Sequence, residues 1–239
     1  MRTVIDLHSH ILPGIDDGST CVEESLEMLR QEKEQGVTHV VATPHFYADL
    51  DTPDAFFQRR DRAEEELRSA LQDHPELPEV IVGAEVHYFR GISHSDALRK
   101  LTIGGTSAVL IEMSHAPWSE SAWQELQDIY DRQGLLPIIA HVDRYITPLR
   151  SFGIPKRLSQ MPVLVQINGD AFTSRGSANM ALRLLKEDKV QLLGSDCHGQ
   201  NYRKPNLGPV RQMIESRLGA DALNRIDRYG ADVLRLGKA

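Results

Sequence analysis

Histidines and carboxylates recur along this chain in short, ordered groups: Leu7-His8-Ser9-His10, Asp16-Asp17-Gly18, Thr43-Pro44-His45, Gly83-Ala84-Glu85, Ile111-Glu112, Ala140-His141-Val142-Asp143-Arg144 and Gly194-Ser195-Asp196-Cys197-His198. Imidazole and carboxylate donors without thiolate suit Mn²⁺, Fe²⁺, Co²⁺ or Zn²⁺. His8 and His10 are two residues apart, as are Asp196 and His198; side chains so spaced on a strand face one side, so each pair can grip one ion. The full set of His8, His10, Asp17, His45, Glu85, Glu112, His141, Asp196 and His198 is too large for a single ion. Shared among two or three ions, with one carboxylate bridging, it leaves positions for water and substrate. The four carboxylates in this set would repel one another in one pocket and take up protons. Three divalent cations more than balance them. With Arg144 and Arg203, the resulting positive site suits a phosphate dianion and a hydroxide. Arg144, Arg203 and Glu112 are the candidates for direct contact with the reaction.

Such residues must be carried to one place. Seven short apolar runs do so: Val4–Leu7, His39–Thr43, Val80–Glu85, Ala108–Glu112, Pro137–Ala140, Val163–Ile167 and Val190–Ser195. Continuous apolar runs of this length fit parallel strands buried on both faces. Helical patterns separate them: Val22, Leu26 and Leu29 before Gly36; the charged stretch 53–72; Trp123, Leu126 and Tyr130 before Gly134; Leu182, Leu184 and Leu185 before Lys186–Asp188; and a last helix from Asp221 with Leu223, Ile226 and Val233 inward. The alternation predicts an α/β chain folded as one domain over residues 1–239, a distorted parallel (β/α)7 barrel. The candidate ligands lie at or just beyond the C-terminal ends of the strands, the rim on which such barrels build active sites.

Composition narrows the partners. A formal charge of −7 and a pI of about 5.8 argue against general nucleic-acid binding, which needs a concentrated basic surface. No apolar run approaches the ~20 residues of a membrane span, and the N-terminus shows no signal-peptide pattern, so a cytoplasmic location is expected. Cys21 and Cys197 read as reduced thiols. Oligomeric state is not legible.

The motifs Asp6-Leu7-His8-Ser9-His10, Asp16-Asp17-Gly18, Thr43-Pro44-His45, Gly83-Ala84-Glu85, Ala140-His141 and Ser195-Asp196-Cys197-His198, in this order over nearly the whole chain, resemble the PHP (polymerase and histidinol phosphatase) superfamily. The Asp-Asp-Gly after His-x-His, and an arginine three residues after His141, look most like its bacterial capsule and exopolysaccharide tyrosine phosphatases. The resemblance implies a trinuclear site, usually manganese. It implies one ion on His8, His10, Glu85 and Asp196, a second on Glu85, Glu112 and His141, and a third on Asp17, His45 and His198. Arg144 and Arg203 match the phosphate-binding pair. The implied substrate is phosphotyrosine on the tail of a bacterial tyrosine kinase. Metal-bound hydroxide, available near neutral pH, would attack phosphorus. Val142 and Asp143 depart from the usual Pro-Glu, and Cys197 from the usual alanine.

Several residues have competing readings. Asp16 and Asp17 contend for one ligand role, Asp17 matching the family better. His115 could stand in for Glu112. His87 shares parity with Glu85 but reads as a supporting or packing residue. Cys197 and Arg203 satisfy the Cys-x5-Arg spacing of cysteine-based phosphatases, yet Cys197, between Asp196 and His198, should point away from the site. Alternative functions are a histidinol-phosphate or other small phosphoester hydrolase and a non-catalytic, metal-stabilised barrel that binds a partner.

Overall fold

The computed structural model describes residues 3–146 and 153–236. In chain order the elements are β1 (Ile5–Ser9), α1 (Val22–Glu34), β2 (His39–Ala42), β3 (His45–Phe46), α2 (Pro53–Leu71), β4 (Glu79–Val82), β5 (Glu85–His87), β6 (Ala108–Glu112), α3 (Glu120–Gln133), β7 (Leu136–Ile139), α4 (Gly153–Leu158), β8 (Leu164–Asn168), α5 (Arg175–Lys186), β9 (Leu192–Gly194), α6 (Leu207–Leu218) and α7 (Ala220–Val233), with short 3-10 turns between some of them.

The strands form two runs, β1-β2-β4 and β3-β5-β6-β7-β8-β9, and every pairing between them is parallel. The two runs belong to one wall. The β2 stave continues as β3 across Thr43-Pro44, where proline has no N–H to give the ladder. The β4 stave continues as β5 across Gly83-Ala84. The wall closes where Ser9 bridges Cys197, with the His10 amide donating to the Cys197 carbonyl at 2.9 Å and the Asp196 amide to the His8 carbonyl at 2.7 Å. The expected seven-stave, distorted parallel barrel is thus observed, with the second and third staves each broken beside a site residue.

Helix ends follow local chemistry. Thr52, Ser119 and Ser174 accept the amides of Ala55, Ala122 and Ser177 at the starts of α2, α3 and α5. Gly134 ends α3 with φ +65°. The barrel interior is floored by Ile5, Leu7, Val41, Leu110, Ile138 and Leu192, with Val233 and Leu234 from the end of α7 packed among them. A larger apolar layer fills the space between wall and helices. The pairing of β1 with β2 shifts between Asp6 and Ser9. Asp6 meets Glu32 of α1, on the outer side. Leu7 joins the floor, and the shift lets the next residue, His8, also face the interior. A bulge that re-aims a side chain is common beside active sites.

Candidate metal centre

Above the apolar floor, the strand ends bring every one of the nine expected ligands into one cluster. His8 Nε2 lies 3.2 Å from His10 Nε2, 3.2 Å from Glu85 Oε2 and 3.6 Å from Asp196 Oδ1; His10 Nε2 is 3.4 Å from each of those two oxygens. Donors at about 2.1 Å from one ion stand roughly 3.0–3.4 Å apart in octahedral or tetrahedral arrangements, so this quartet has the spacing of a coordination shell. His141 Nε2 is 2.8 Å from Glu85 Oε1 and 3.5 Å from Glu112 Oε1. Asp17 Oδ1 is 3.5 Å from both His45 Nε2 and His198 Nε2. Glu85 therefore presents one oxygen to the first group and the other to the second.

The donor chemistry fits divalent ions. Glu85 Oε2 is buried at 3.0–3.4 Å from ring nitrogens of His45, His8 and His10, yet makes no aligned hydrogen bond among the described residues. A buried carboxylate oxygen without a hydrogen bond is costly unless a cation faces it. In the metal-free protein protons supply part of that charge. Burial alone would push the His10 imidazole down, but Asp16, Asp196 and Glu85 outweigh it and hold His10 well above its usual value. The same balance keeps the Glu85 and Asp196 carboxyls low against the pull of burial, through His8 and His10. His198 is driven down to about 4 by burial, His10 and Arg203, which leaves a neutral ring able to donate a lone pair.

Supporting residues hold the cluster. Asp16 accepts from His10 Nδ1 at 2.8 Å and from the amides of Gly18 and His45 at 3.0 and 3.1 Å. With its carboxyl engaged three times, Asp16 orients His10, while the exposed Asp17 faces His45 and His198. Gly18 allows this turn, because a Cβ there would collide with the His10 carbonyl. His87 Nδ1 contacts Glu112 Oε2 at 3.0 Å, a supporting position. His115 packs near the Tyr145 ring and lies outside the ligand groups, which include Glu112. His141, Asp196 and Arg203 all have positive φ (32°, 54° and 45°); backbone strain of this kind persists where surrounding structure enforces it for function.

One expectation is corrected. Asp196 and His198 do not share a strand face: β9 ends at Gly194, and Asp196 is left-handed. Their oxygen and nitrogen still approach to 3.6 Å because the chain turns there instead of running extended. A second feature escaped the sequence reading. Gln166, on β8, accepts the His141 amide at 2.6 Å and lies 3.4 Å from His8 Nδ1. Its amide donates to Asn168 Oδ1 at 2.9 Å, and Asn168 donates to Asp196 Oδ2 at 2.7 Å. The only sequence signal was two amides, two residues apart, closing an otherwise apolar strand.

Arg144 and Arg203 converge on Asp196 Oδ2, at 2.5 and 2.6 Å. Arg203 Nη1 also lies 3.1 Å from His198 Nε2. Asp143 turns away to accept the Asn168 amide at 3.0 Å, and Val142 is buried. Cys197 is fully buried beside Asp6 and Glu32, and burial and those carboxyls push its thiol well up. It therefore lacks both the access and the thiolate a nucleophile needs.

The chain is similar to several known proteins. Tyrosine-protein phosphatase CpsB of Streptococcus agalactiae is 26% identical over 237 residues, covering 93% of this chain and 94% of the relative. Tyrosine-protein phosphatase YwqE of Bacillus subtilis is 26% identical, covering 91% and 86%. A solved structure from work on YwqE of B. subtilis and CpsB of Streptococcus pneumoniae, described as unique metal-dependent tyrosine phosphatases, shares the fold with a TM-score of 0.84 at 24% identity, covering 97% of this chain and 94% of that one. A family model described as "Capsular polysaccharide synthesis, CpsB/CapC" matches residues 4–234, and the chain belongs to that family.

Proposed function

We propose that this chain is a metal-dependent protein-tyrosine phosphatase, a single catalytic domain loaded with two or three Mn²⁺ ions and acting in the cytoplasm on phosphotyrosine of a bacterial tyrosine kinase involved in capsule or exopolysaccharide synthesis. The observation that carries this reading is the set of three overlapping ligand groups, two sharing Glu85 and the third joined to them through His10 and His45, with two guanidiniums gathered at Asp196. The named activities of the relatives support it. His8, His10, Glu85 and Asp196 would hold one ion, Glu85, Glu112 and His141 a second, and Asp17, His45 and His198 a third. Bound divalent ions would supply hydroxide near neutral pH and offset the charge of the phosphoryl oxygens.

The protein's own groups do the rest. Arg144 and Arg203 orient the phosphoryl oxygens, and phosphoryl transfer depends mostly on such positioning and charge stabilisation. Asp16, His87, Gln166 and Asn168 fix the ligands. A tyrosine phenolate, with a pKa of ~10, leaves without a strong acid to protonate it.

Chelation should abolish hydrolysis of a phosphotyrosine peptide and added manganese should restore it. Arg203→Ala should lower kcat/KM about a hundredfold with metal content unchanged. Full activity in that variant would refute the role of Arg203. Faster turnover of histidinol phosphate than of the peptide would favour a small-phosphoester hydrolase, and no turnover with saturating manganese a partner-binding barrel.

A further inference from the structure

Large apolar side chains are seldom left in water on this protein. Among the described residues only Leu50, Tyr130 and Tyr202 are both large, hydrophobic and exposed. Leu50, 80% exposed, stands at the mouth of the metal centre. It lines an open cleft of about 460 Å³ together with Ile15 and Tyr47, and the same cleft is lined by Asp16, Asp17 and His45. One end of the cleft is therefore the proposed ligand cluster, Asp51 and Arg59 also line it, and Ile15, Tyr47 and Leu50 supply its aliphatic and aromatic surface.

The walls are built, not loose. The loop carrying Ile15 is closed by the Gly14 amide on the Ser19 carbonyl at 2.7 Å and the Ser19 amide on the His10 carbonyl at 2.9 Å. The turn carrying Leu50 is closed by the amides of Leu50 and Asp51 on the Tyr47 carbonyl, at 3.1 and 3.0 Å. The Tyr47 ring lies 5.3 Å from both His45 and His87, which fixes its face beside the cluster. Charge at the far end is already matched, since Arg59 pairs with Asp51. The cleft thus offers apolar surface next to an anion site, with Asp17 unfavourable to a second anion.

We infer that this cleft receives the aromatic ring of the phosphorylated side chain, with Leu50 and Ile15 gripping the ring and Tyr47 bounding it. The inference rests on the phosphatase reading above and deepens it. Arg144 and Arg203 approach the cluster from Asp196 and His198, whereas the cleft opens beside Asp17 and His45. A phosphoryl group held at the arginines leaves its ester substituent free to extend toward the cleft. An aryl group gains apolar contact there, and a methyl group has far less surface with which to make it.

Non-hydrolysable phosphonates test this without turnover. Phenylphosphonate and methylphosphonate are titrated calorimetrically into the manganese-loaded protein, wild type and Leu50→Ala. Leu50 is exposed, so its truncation leaves the fold intact. The variant should bind phenylphosphonate about fivefold more weakly, the scale set by one side chain's share of buried apolar area, and methylphosphonate unchanged. Leu50→Ser should repeat the pattern. Equal loss for both ligands, or loss for neither, overturns the assignment. So does a wild type that binds neither. Hydrolysis of a phosphotyrosine peptide is measured alongside. Failure there with the phenyl-selective loss intact would refute the phosphatase reading and leave the aryl cleft standing.

Discussion

Most of the proposed ligand side chains could be picked out in the sequence because they sit at or just beyond the end of an apolar run, and a buried strand gives its end residue a fixed address. What holds them was not legible. Gln166 looks like one polar letter in a strand, and only the fold reveals that its amide joins His141, His8 and, through Asn168, Asp196. Residues of this kind commonly tune metal affinity by ~10–100-fold. Gln166→Ala should therefore weaken manganese binding by about that factor while secondary structure persists; a metal titration followed by calorimetry checks it. The pair Asp6 and Glu32 poses a second residue-scale question. Both are fully buried, and the Glu32 oxygens have no donor among the described residues. Two carboxyls can bond only if one keeps a proton, and burial followed by the charge of Asp6 pushes Glu32 well up. A carboxyl raised in the folded state binds more protons there than in the unfolded chain. Its contribution is present at low pH and is lost as pH rises from the unfolded value of ~4.3 through the folded one. Glu32→Gln supplies a permanent donor to Asp6, so it should flatten the fall of Tm with pH, whereas Glu32→Ala should lower Tm throughout. A Glu32→Gln profile parallel to the wild type would contradict the shared proton.

Elements were easiest to read where apolar periodicity met a cap. Helix α3 runs from the Ser119 cap to the left-handed Gly134, and α2 from the Thr52 cap, close to expectation. The breaks in the second and third staves went unseen, because a strand interrupted for two residues still reads as one apolar run. They set His45 opposite Glu85 in the β3–β5 pairing, which brings two of the proposed ligands together. Helix α6 was also missed. Gly208 and Pro209 stand in its first turn and read as a loop, although proline is tolerated there because the first amides have no helical partner. Its buried residues Leu207, Val210, Arg211 and Ile214 follow helical spacing. Arg211 is clamped by both nitrogens to Asp227 of α7, at 2.7 and 2.9 Å, with both side chains largely buried. Removing the guanidinium takes both of these charge-assisted bonds from a largely buried carboxylate, so Arg211→Ala should cost about 3 kcal/mol in a denaturant titration. The clamp lies away from the metal centre, so kcat of the fraction that remains folded should not change.

At the scale of the molecule, a barrel with an apolar floor has concentrated charge at one mouth, and the stability of that mouth depends on which cations fill it. Without metal, His8 and His10 carry that duty. Burial opposes their protonation, but Glu85, Asp196 and Asp16 prevail, so both sit above their ordinary value. A histidine raised in the folded state contributes stability that is complete below its unfolded pKa of ~6.5 and disappears as pH climbs through the folded value. The depressed Glu85 and Asp196 behave oppositely: their contribution is present above the unfolded carboxyl value of ~4 and is lost only in acid. Above neutrality the metal-free cluster therefore keeps its negative charge while losing its protons. Divalent ions need the histidines deprotonated, so their binding releases protons and strengthens over the same interval. Both effects point one way. The rise in Tm on adding saturating manganese should be larger at about pH 8 than at about pH 6, and metal uptake in weakly buffered solution should acidify it. Differential scanning calorimetry of the chelated and reloaded protein at the two pH values decides the matter. An increment that shrinks toward alkaline pH would mean that protons on the histidines are not what the ions replace.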